Sequence, residues 1–399
     1  MTINDRIAAV YADGWSRIVA TMIRFTGGDW DLAEECAQDA FAQALKTWPT
    51  TGVPDQPLAW LTTTARRRAI DRIRRANTEA AKLQEVVTVT PDAQSSDIPD
   101  ERLELMFTCC HPALNIEAQV ALVLRALAGL STAEIAQAFL VPEKTMGQRL
   151  FRAKQKIRHA GIPFRVPSAQ TLPDRLSAIL HVLYLLYNAG YGDPARARLG
   201  QEAIRLARAL TELMPDEAEV IGTLALLLLH EARRPTRVDA DGHLVTLSEQ
   251  DRSSWDQDLI AEGAELCERA LRRGRAGPFQ LQAAIAACHA TAPTAGATDW
   301  PQIAGLYTEL VRIAPSAVTE LNRAVAIGEA DGPEAALALV DALPGLEDYY
   351  LFHATRADLL RRLSRPQEAA DSYRAALRTA PTQAERHFLD ARLREVGAS

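Results

Sequence analysis

Apolar residues recur every three or four positions along most of this chain, which is the spacing of amphipathic helices. The pattern predicts helices in residues 1–78, with breaks at 26–29 and at 49–57, and again in residues 101–160. A long Ala-, Leu- and Arg-rich region with the same spacing follows to the end of the chain. No alternating apolar pattern is long enough to predict a strand. The sequence therefore predicts an all-α fold.

Proline, glycine and charge divide the helical chain into four parts. Residues 79–100 lack a helical apolar period and end in Thr-Pro-Asp-Ala-Gln-Ser-Ser-Asp-Ile-Pro-Asp, which is typical of a linker. A second break follows near Pro163. We therefore predict two small helical domains at residues 1–78 and 101–160, a linker at 79–100, and a helical extension at 161–399.

The extension contains a degenerate repeat. Three similar segments end at Pro215, Pro315 and Pro381, which are 100 and 66 residues apart, close to three and two units of about 33 residues. This period predicts a tetratricopeptide-like (TPR-like) array of helix pairs, in which each pair buries its apolar stripe against its neighbours. Ordinary paired helices with a chance spacing of prolines are the alternative.

The distribution of charge separates the extension from the rest of the chain. The 399 residues include 44 Lys and Arg and 51 Asp and Glu, and a net charge of −7 taken alone argues against nucleic-acid binding. Residues 1–160, however, carry 19 basic and 19 acidic side chains, whereas residues 161–399 carry 25 and 32. The acidity is a property of the extension, so the first part must be interpreted separately.

The segment 130–158 has the pattern of a helix-turn-helix. Ser131 and Glu134 have the spacing of a capping box, and a second helix is predicted to begin at Glu143. This second helix carries six basic side chains and no acidic one between Lys144 and Arg158. Such a helix can contact bases near its start and phosphates further along. The alternative is a solvated basic helix on an ordinary domain.

Two further charged segments lie upstream. Six arginines and one aspartate occupy residues 66–75, preceded by Trp60 and three threonines, a combination that suits bases and a phosphate track. Five acidic residues lie between Asp29 and Asp39, and an acidic face should repel DNA and attract a basic protein partner. The alternatives are a charged surface helix for the first segment and an acidic bias that complements the helix dipole for the second.

Taken in order, these segments resemble a known family. DLAEECAQDAFAQALKTW, PLAWLTTTARRRAIDRIRR and LSTAEIAQAFLVPEKTMGQRLFRAKQKIR resemble the two conserved domains of extracytoplasmic-function (ECF) bacterial sigma factors. FTCCHPAL and LYLLYNAGYG, followed by TPR-like helices, are similar to the ECF subgroup with a long C-terminal extension. The resemblance covers residues 5–160 in the family's order and, with that subgroup, nearly the whole chain.

The resemblance implies a sigma factor that directs core RNA polymerase to promoters without a catalytic group, a cofactor or a metal. It implies that the protein contacts the β flap of the polymerase. It also implies that the β′ clamp helices are bound by Asp31, Glu34, Glu35, Gln38, Asp39 and Phe41. It implies binding of the −10 promoter element by Trp60, Thr63, Arg66, Arg67, Arg72 and Arg75. It implies binding of the −35 element by Lys144, Thr145, Gln148, Arg149, Arg152 and Lys154.

Two positions depart from the family pattern. Arg67 stands where the family usually has Asn, and Gly147 stands where a basic residue is frequent. The promoter sequence preference of relatives therefore does not transfer to this chain.

Other features bound the interpretation. Five cysteines without a CxxC pair indicate a reducing cytosol, and neither a signal peptide nor a membrane span is expected. Cys109, Cys110 and His111 are poorly placed for one tetrahedral metal ion.

Two alternative functions are a helix-turn-helix regulator with a TPR sensor, and a TPR scaffold. For the extension we expect a regulatory protein partner, and we hypothesise that its negative charge holds the basic helices inactive.

Overall fold

Helices account for 77% of the computed structural model, which confirms the predicted all-α fold. Outside the helices, the described residues contain one isolated β-bridge, between Val238 and Leu244, and no longer strand. Residues 81–100, most of the predicted linker, lie outside the described part of the chain. The structure describes residues 3–80, 101–139, 141–168, 170–191, 197–239, 243–274, 276–380 and 382–397.

The chain forms two compact units, and the first comprises Met1–Leu213. Its described helices are α1 (Ile3–Phe25), α2 (Trp30–Thr51), α3 (Pro57–Ala80), α4 (Glu101–Cys109), α5 (Ile116–Leu122, which continues as a π-helical turn over Val123–Leu127), α6 (Thr132–Ala138), α7 (Glu143–His159), α8 (Leu172–Tyr191) and α9 (Ala197–Leu213).

Helices α1, α2 and α3 pack against one another as a three-helix group. Asp29 begins α2 as its N-cap and accepts a hydrogen bond from the Leu32 amide at 3.1 Å. Small and apolar residues at helical spacing, such as Leu61, Ala65 and Ala69 on α3, form the buried face. The arginines between them consequently face away from this core.

Helices α6 and α7 form the predicted helix-turn-helix, which is confirmed. Ser131 and Glu134 make the predicted capping box at the start of α6. Pro142 precedes α7, where its fixed φ angle and missing N–H suit the start of a helix. Four residues of α7 at helical spacing are buried, namely Met146, Leu150, Ala153 and Ile157. This arrangement leaves the other faces of α7 to its basic side chains.

The first two helices of the extension belong to the first unit. Helix α8 packs against α4, α5 and α9. The Arg175 guanidinium donates to the Phe107 carbonyl, and the Arg205 guanidinium donates to the Leu127 carbonyl at 3.1 Å. The predicted boundary between residues 160 and 161 therefore lies inside this unit, because the apolar face of α8 completes its core.

The second unit comprises Met214–Ser399. Its described α-helices are α10 (Ala218–Glu231), α11 (Gln257–Leu271), α12 (Pro278–Thr291), α13 (Trp300–Ile313), α14 (Ala317–Ala330), α15 (Pro333–Asp341), α16 (Tyr350–Arg362), α17 (Pro366–Thr379) and α18 (Gln383–Gly397).

Helices of the second unit pack mainly against their neighbours in sequence, from α10 with α11 to α17 with α18. This nearest-neighbour packing is characteristic of helical-repeat arrays. Helix α10 is the most apolar, and ten consecutive residues from Val220 to Leu229 are buried. The Glu219 carboxylate accepts hydrogen bonds from the Phe279 and Gln280 amides at 3.1 and 3.0 Å, which ties the start of α12 to α10.

Two histidines of the second unit sit beside arginines. Arg233 Nη2 lies 3.1 Å from His230 Nδ1, and the Arg252 guanidinium donates to the His289 carbonyl. Burial, reinforced by Arg233, lowers the pKa of His230 to about 3 and that of His289 to about 4. Both imidazoles are therefore neutral in the folded protein near pH 6.

Acidification should destabilise the second unit before its carboxylates titrate. Each histidine binds a proton more readily in the unfolded chain, so stability falls as the pH drops below the unfolded pKa of 6.5. Between pH 7 and 5.5 we expect a loss of about 1 kcal/mol per histidine. Hydrogen exchange of the α10 and α12 amides, corrected for intrinsic rates, measures this loss.

The variant His230→Gln/His289→Gln should lose most of this pH dependence. His387→Gln is the matched control, because His387 is exposed on α18 of the same unit. An unchanged pH dependence in the double variant would contradict the conclusion that His230 and His289 cause the loss of stability.

Candidate functional site

A buried carboxylate joins α2 to the helix-turn-helix half of the first unit. Glu34 is only 4% exposed. The Arg125 Nε donates to Glu34 Oε2 at 2.8 Å. Lys154 Nζ lies 2.8 Å from Glu34 Oε1 as an ion pair without hydrogen-bond alignment, and donates to Asp31 Oδ1 at 2.9 Å. Two cations from separate helical segments thus converge on one acidic helix.

Aromatic residues of α1 extend the same interface. Tyr11 Oη donates to the Gly129 carbonyl at 2.8 Å, and Trp15 Nε1 donates to the Arg125 carbonyl at 3.2 Å. Gly129 has φ +72°, and a Cβ there would lie 3.0 Å from both rings. The close approach of α1 to the turn before α6 therefore requires glycine.

A third set of contacts joins α1 to α4. Arg24 forms ion pairs with Glu104 and, at 3.6 Å, with Glu101, and the Thr21 hydroxyl donates to Glu101. Burial raises the pKa of Glu104, although Arg24 opposes that shift. The two halves of the first unit are thus held together by polar contacts on both α1 and α2.

Helix α2 also pairs with α3. Arg72 forms ion pairs with Glu35 and, at 2.9 Å, with Asp39. The rings of Trp48 and Trp60 meet edge to face, with their centroids 5.4 Å apart. The acidic helix therefore orients α3 as well as contacting the helix-turn-helix.

The remaining polar face of α3 is open to solvent. Thr63, Arg66, Arg67 and Arg75 are exposed, and the Arg66 guanidinium lies 5.6 Å from the centroid of the Phe25 ring. Trp60 is half-buried at the start of the helix. A partly exposed aromatic ring beside hydroxyls and arginines can stack bases and contact phosphates.

Helix α7 presents the second basic surface. Lys144, Gln148 and Arg152 are exposed along it, and Thr145 and Arg149 are half-buried. A groove of about 450 Å³ lies between α7 and the start of α5 and is lined by Asn115, Glu117, Arg149, Arg152 and Lys156, among others. A basic helix at this position of a helix-turn-helix is suited to the major groove of DNA.

Three protein families match successive parts of the chain. Sigma-70 region 2 matches residues 14–79, sigma-70 region 4 matches residues 104–157, and a family of unknown function (DUF6596) matches residues 175–271. An uncharacterized protein of Rhizobium meliloti (strain 1021) is 42% identical over 383 residues, which cover 92% of this chain and 90% of that protein. The chain belongs to the sigma-70 family of RNA polymerase sigma factors.

Sigma regions 2 and 4 have a role in transcription initiation, with core RNA polymerase and promoter DNA as partners. Region 2 corresponds to most of α1, α2 and α3, and region 4 to α4 through α7. Within the described residues, no helix is long and apolar enough to cross a membrane. In the same residues, no group of three or more His, Cys, Asp or Glu could hold a metal ion.

The predicted polymerase-binding residues of this sigma factor divide into two groups. Asp31, Glu35 and Gln38 are exposed on α2, and Asp39 is half-buried against Arg72. Glu34 and Phe41 are buried instead, and the Phe41 ring lies 4.8 Å from the Tyr11 ring, centroid to centroid. In this conformation, Glu34 and Phe41 contribute to the packing inside the first unit.

Sequence reasoning missed Arg125, Tyr11 and Trp15. Trp15 is among the largest fully buried side chains, and its position with Tyr11 one helical turn away was a detectable signal. Arg125 had no such signal, because its partner Glu34 lies 91 residues away in the sequence.

Replacing Arg125 with Met should destabilise the first unit. The apolar chain would leave one Glu34 oxygen buried without its cation, and breaking a buried ion pair costs about 3 kcal/mol. Denaturant unfolding followed by hydrogen exchange of α2 and α5 measures the loss. Arg17→Met, at an exposed position of α1, is the control. A loss as small as that of the control would contradict the importance of this pair.

Proposed function

We propose that this chain is an ECF-type sigma factor that directs bacterial core RNA polymerase to specific promoters, and that its helical extension regulates this activity. One observation carries the proposal: the chain has exposed basic faces on α3 and α7, in the order of regions 2 and 4. The two family matches are separated only by residues 80–103, too few for another sigma domain.

The promoter would be bound by two surfaces with different tasks. The exposed side chains of α7 suit the major groove of a −35 element, with bases contacted near Lys144 and phosphates further along. The face of α3 with Trp60, Thr63 and the arginines suits an unpaired −10 strand. Unstacking a base costs a few kcal/mol, which stacking and phosphate contacts would offset. The sigma factor itself would contribute binding energy and no catalytic group.

Core polymerase would be bound through α2. Its exposed side chains Asp31, Glu35 and Gln38 form a polar, negatively charged surface that suits basic residues of the β′ clamp helices. Region 4 would contact the β flap. A helix-turn-helix regulator with a TPR sensor, the competing candidate, has no need of this acidic helix. Because its proposed partners act in the cytoplasm, we place the protein there.

The extension would have two roles. Helices α8 and α9 brace region 4. Arg175 donates to the Phe107 carbonyl of α4, Arg205 donates to the Leu127 carbonyl before the helix-turn-helix, and Arg198 pairs with the capping residue Glu134 of α6 at 2.6 Å. The repeat array of the second unit is available for a regulatory protein, because arrays of this kind present extended binding surfaces.

Reconstitution with core polymerase tests the proposed function. Core polymerase with this protein should produce run-off transcripts from selected promoter fragments, whereas core polymerase alone should not. DNA binding without polymerase-dependent transcripts would favour the regulator with a sensor domain.

Single-surface variants should separate the two binding steps. Gln38→Lys adds a positive charge to the α2 surface and should weaken core-polymerase binding at least fivefold, whereas Gln170→Lys adds the same charge at an exposed position before α8. Lys144→Ala/Gln148→Ala should reduce specific promoter binding about tenfold while leaving core-polymerase binding unchanged. Equal effects of Gln38→Lys and Gln170→Lys would contradict the α2 assignment.

Truncation should distinguish the two parts of the extension. A chain ending at Arg165 lacks α8 and exposes the apolar surface that α8 covers, so we expect a lower melting temperature and aggregation. A chain ending at Leu213 keeps the first unit whole and should fold and bind promoter DNA. Circular dichroism and size-exclusion chromatography compare them, and equal melting temperatures would contradict the bracing role.

A further inference from the structure

We propose that residues 243–256, which precede α11, form a clasp that reversibly fastens the first helices of the second unit to its last helix, α18. The second unit then has a fastened and a released state. The connection from α10 to α11 covers residues 232–256, whereas most connections in compact units are only about 4–6 residues long. The inference goes beyond the proposed function, because both states are defined within the second unit.

The base of the clasp is anchored by buried contacts. Trp255 is only 3% exposed, and its indole Nε1 donates to Thr236 Oγ1, just after α10, at 2.8 Å. The Arg252 guanidinium lies 4.6 Å from the centroid of the Trp255 ring. It also donates to the carbonyls of His289 and Ala292 at the end of α12. These contacts fix the base of the clasp to the first helices of the unit.

The tip of the clasp, residues 243–250, is held in shape by its own hydrogen bonds. The Val245 amide donates to the Arg237 carbonyl at 2.8 Å. The Thr246 hydroxyl donates to Glu249 Oε2 at 2.6 Å, which leaves Oε1 of the same carboxylate for a second partner. The tip therefore presents its side chains in a defined arrangement.

That second partner belongs to α18. Arg392 Nη2 donates to Glu249 Oε1 at 3.2 Å, although the two residues are 143 positions apart in the sequence. Beside this ion pair, the rings of His243 and His387 lie 5.8 Å apart, centroid to centroid. Helices of a repeat array contact their neighbours in sequence, and α18 packs mainly against α17. The clasp therefore gives α18 a contact that nearest-neighbour packing does not produce.

The contact between the tip and α18 is suited to reversible release. The Glu249 side chain is 53% exposed, and Arg392 also pairs with Glu395 of its own helix at 3.0 Å. Release therefore leaves neither charge buried without a partner. Exposed ion pairs contribute little free energy and are screened by salt, so the tip can leave α18 while the buried base stays in place. A partner protein that binds the released state more tightly shifts the second unit toward that state.

Hydrogen exchange of the full-length protein tests the clasp. Arg392→Gln removes the cation that bonds Glu249, so the hydrogen-bonded amides of Val245 and Gln250 should exchange at least threefold faster, although the substitution lies on α18. Glu249→Gln should in turn speed exchange of the α18 amides at least threefold. Arg394→Gln is the matched control, because it removes the same charge at an exposed position of α18. It should leave the amides of the clasp unchanged.

Two further measurements make the test independent of any single variant. Arg392→Gln/Glu249→Gln should speed exchange no more than the stronger single substitution, because both remove the same contact. In the unmodified protein, raising NaCl from about 0.05 M to about 1 M shortens the Debye length from about 14 Å to about 3 Å. This change should speed exchange of the clasp and α18 amides at least twofold relative to those of α14. Circular dichroism checks that each variant is folded, and the salt measurement decides if one is not.

Each outcome supports or overturns the clasp. The clasp is overturned if Arg392→Gln changes exchange of the Val245 and Gln250 amides no more than Arg394→Gln does. It is also overturned if the effects of Arg392→Gln and Glu249→Gln simply add, since the two residues would then act separately. Exchange that does not respond to salt overturns the reversible, polar fastening. Transcription is measured in a separate assay, so failure of the proposed function and failure of the clasp are distinguishable.

Discussion

The packing of the first unit depends on the buried carboxylate of Glu34, which folding removes from water. Glu34 lies between Arg125 and Lys154, one from the segment before the helix-turn-helix and one from its second helix. Burying an ion is costly unless partners with good geometry surround it, so these ion pairs favour the placement of α2 against region 4 that is seen in this structure. The aromatic contacts of α1 with Gly129 reinforce that placement by shape.

The same acidic helix contacts both basic helices of the first unit. Residues 1–160 have equal numbers of acidic and basic side chains, although they hold two basic helices. The acids of α2 face both of them, since Asp39 pairs with Arg72 of α3 and Asp31 pairs with Lys154 of α7. Packing therefore places acidic side chains of α2 against basic side chains of both helices. The exposed residues of α3 and α7 include more basic than acidic side chains, which suits DNA.

The helices of the extension belong to two different structural units. Its first two helices share a core with region 4. The following helices form a separate unit in which each helix is stabilised mainly by its neighbours in sequence. Our hypothesis that the acidic extension covers the basic helices has a rival within the first unit, because α2 already provides acidic partners for Lys154 and Arg72.

The sequence by itself determined the local structure: the helices, the capping box at Ser131 and the helix-turn-helix followed from apolar spacing and cap residues, which act over a few residues. It also indicated the basic faces of α3 and α7, because side chains opposite an apolar stripe must face outward. Only the tertiary structure decided that Glu34 and Phe41 are buried, that Arg125 and Lys154 meet α2, and that α8 belongs with region 4. Those contacts join residues that are tens of positions or more apart, and a periodic pattern tells which face of a helix is buried but not which partner covers it.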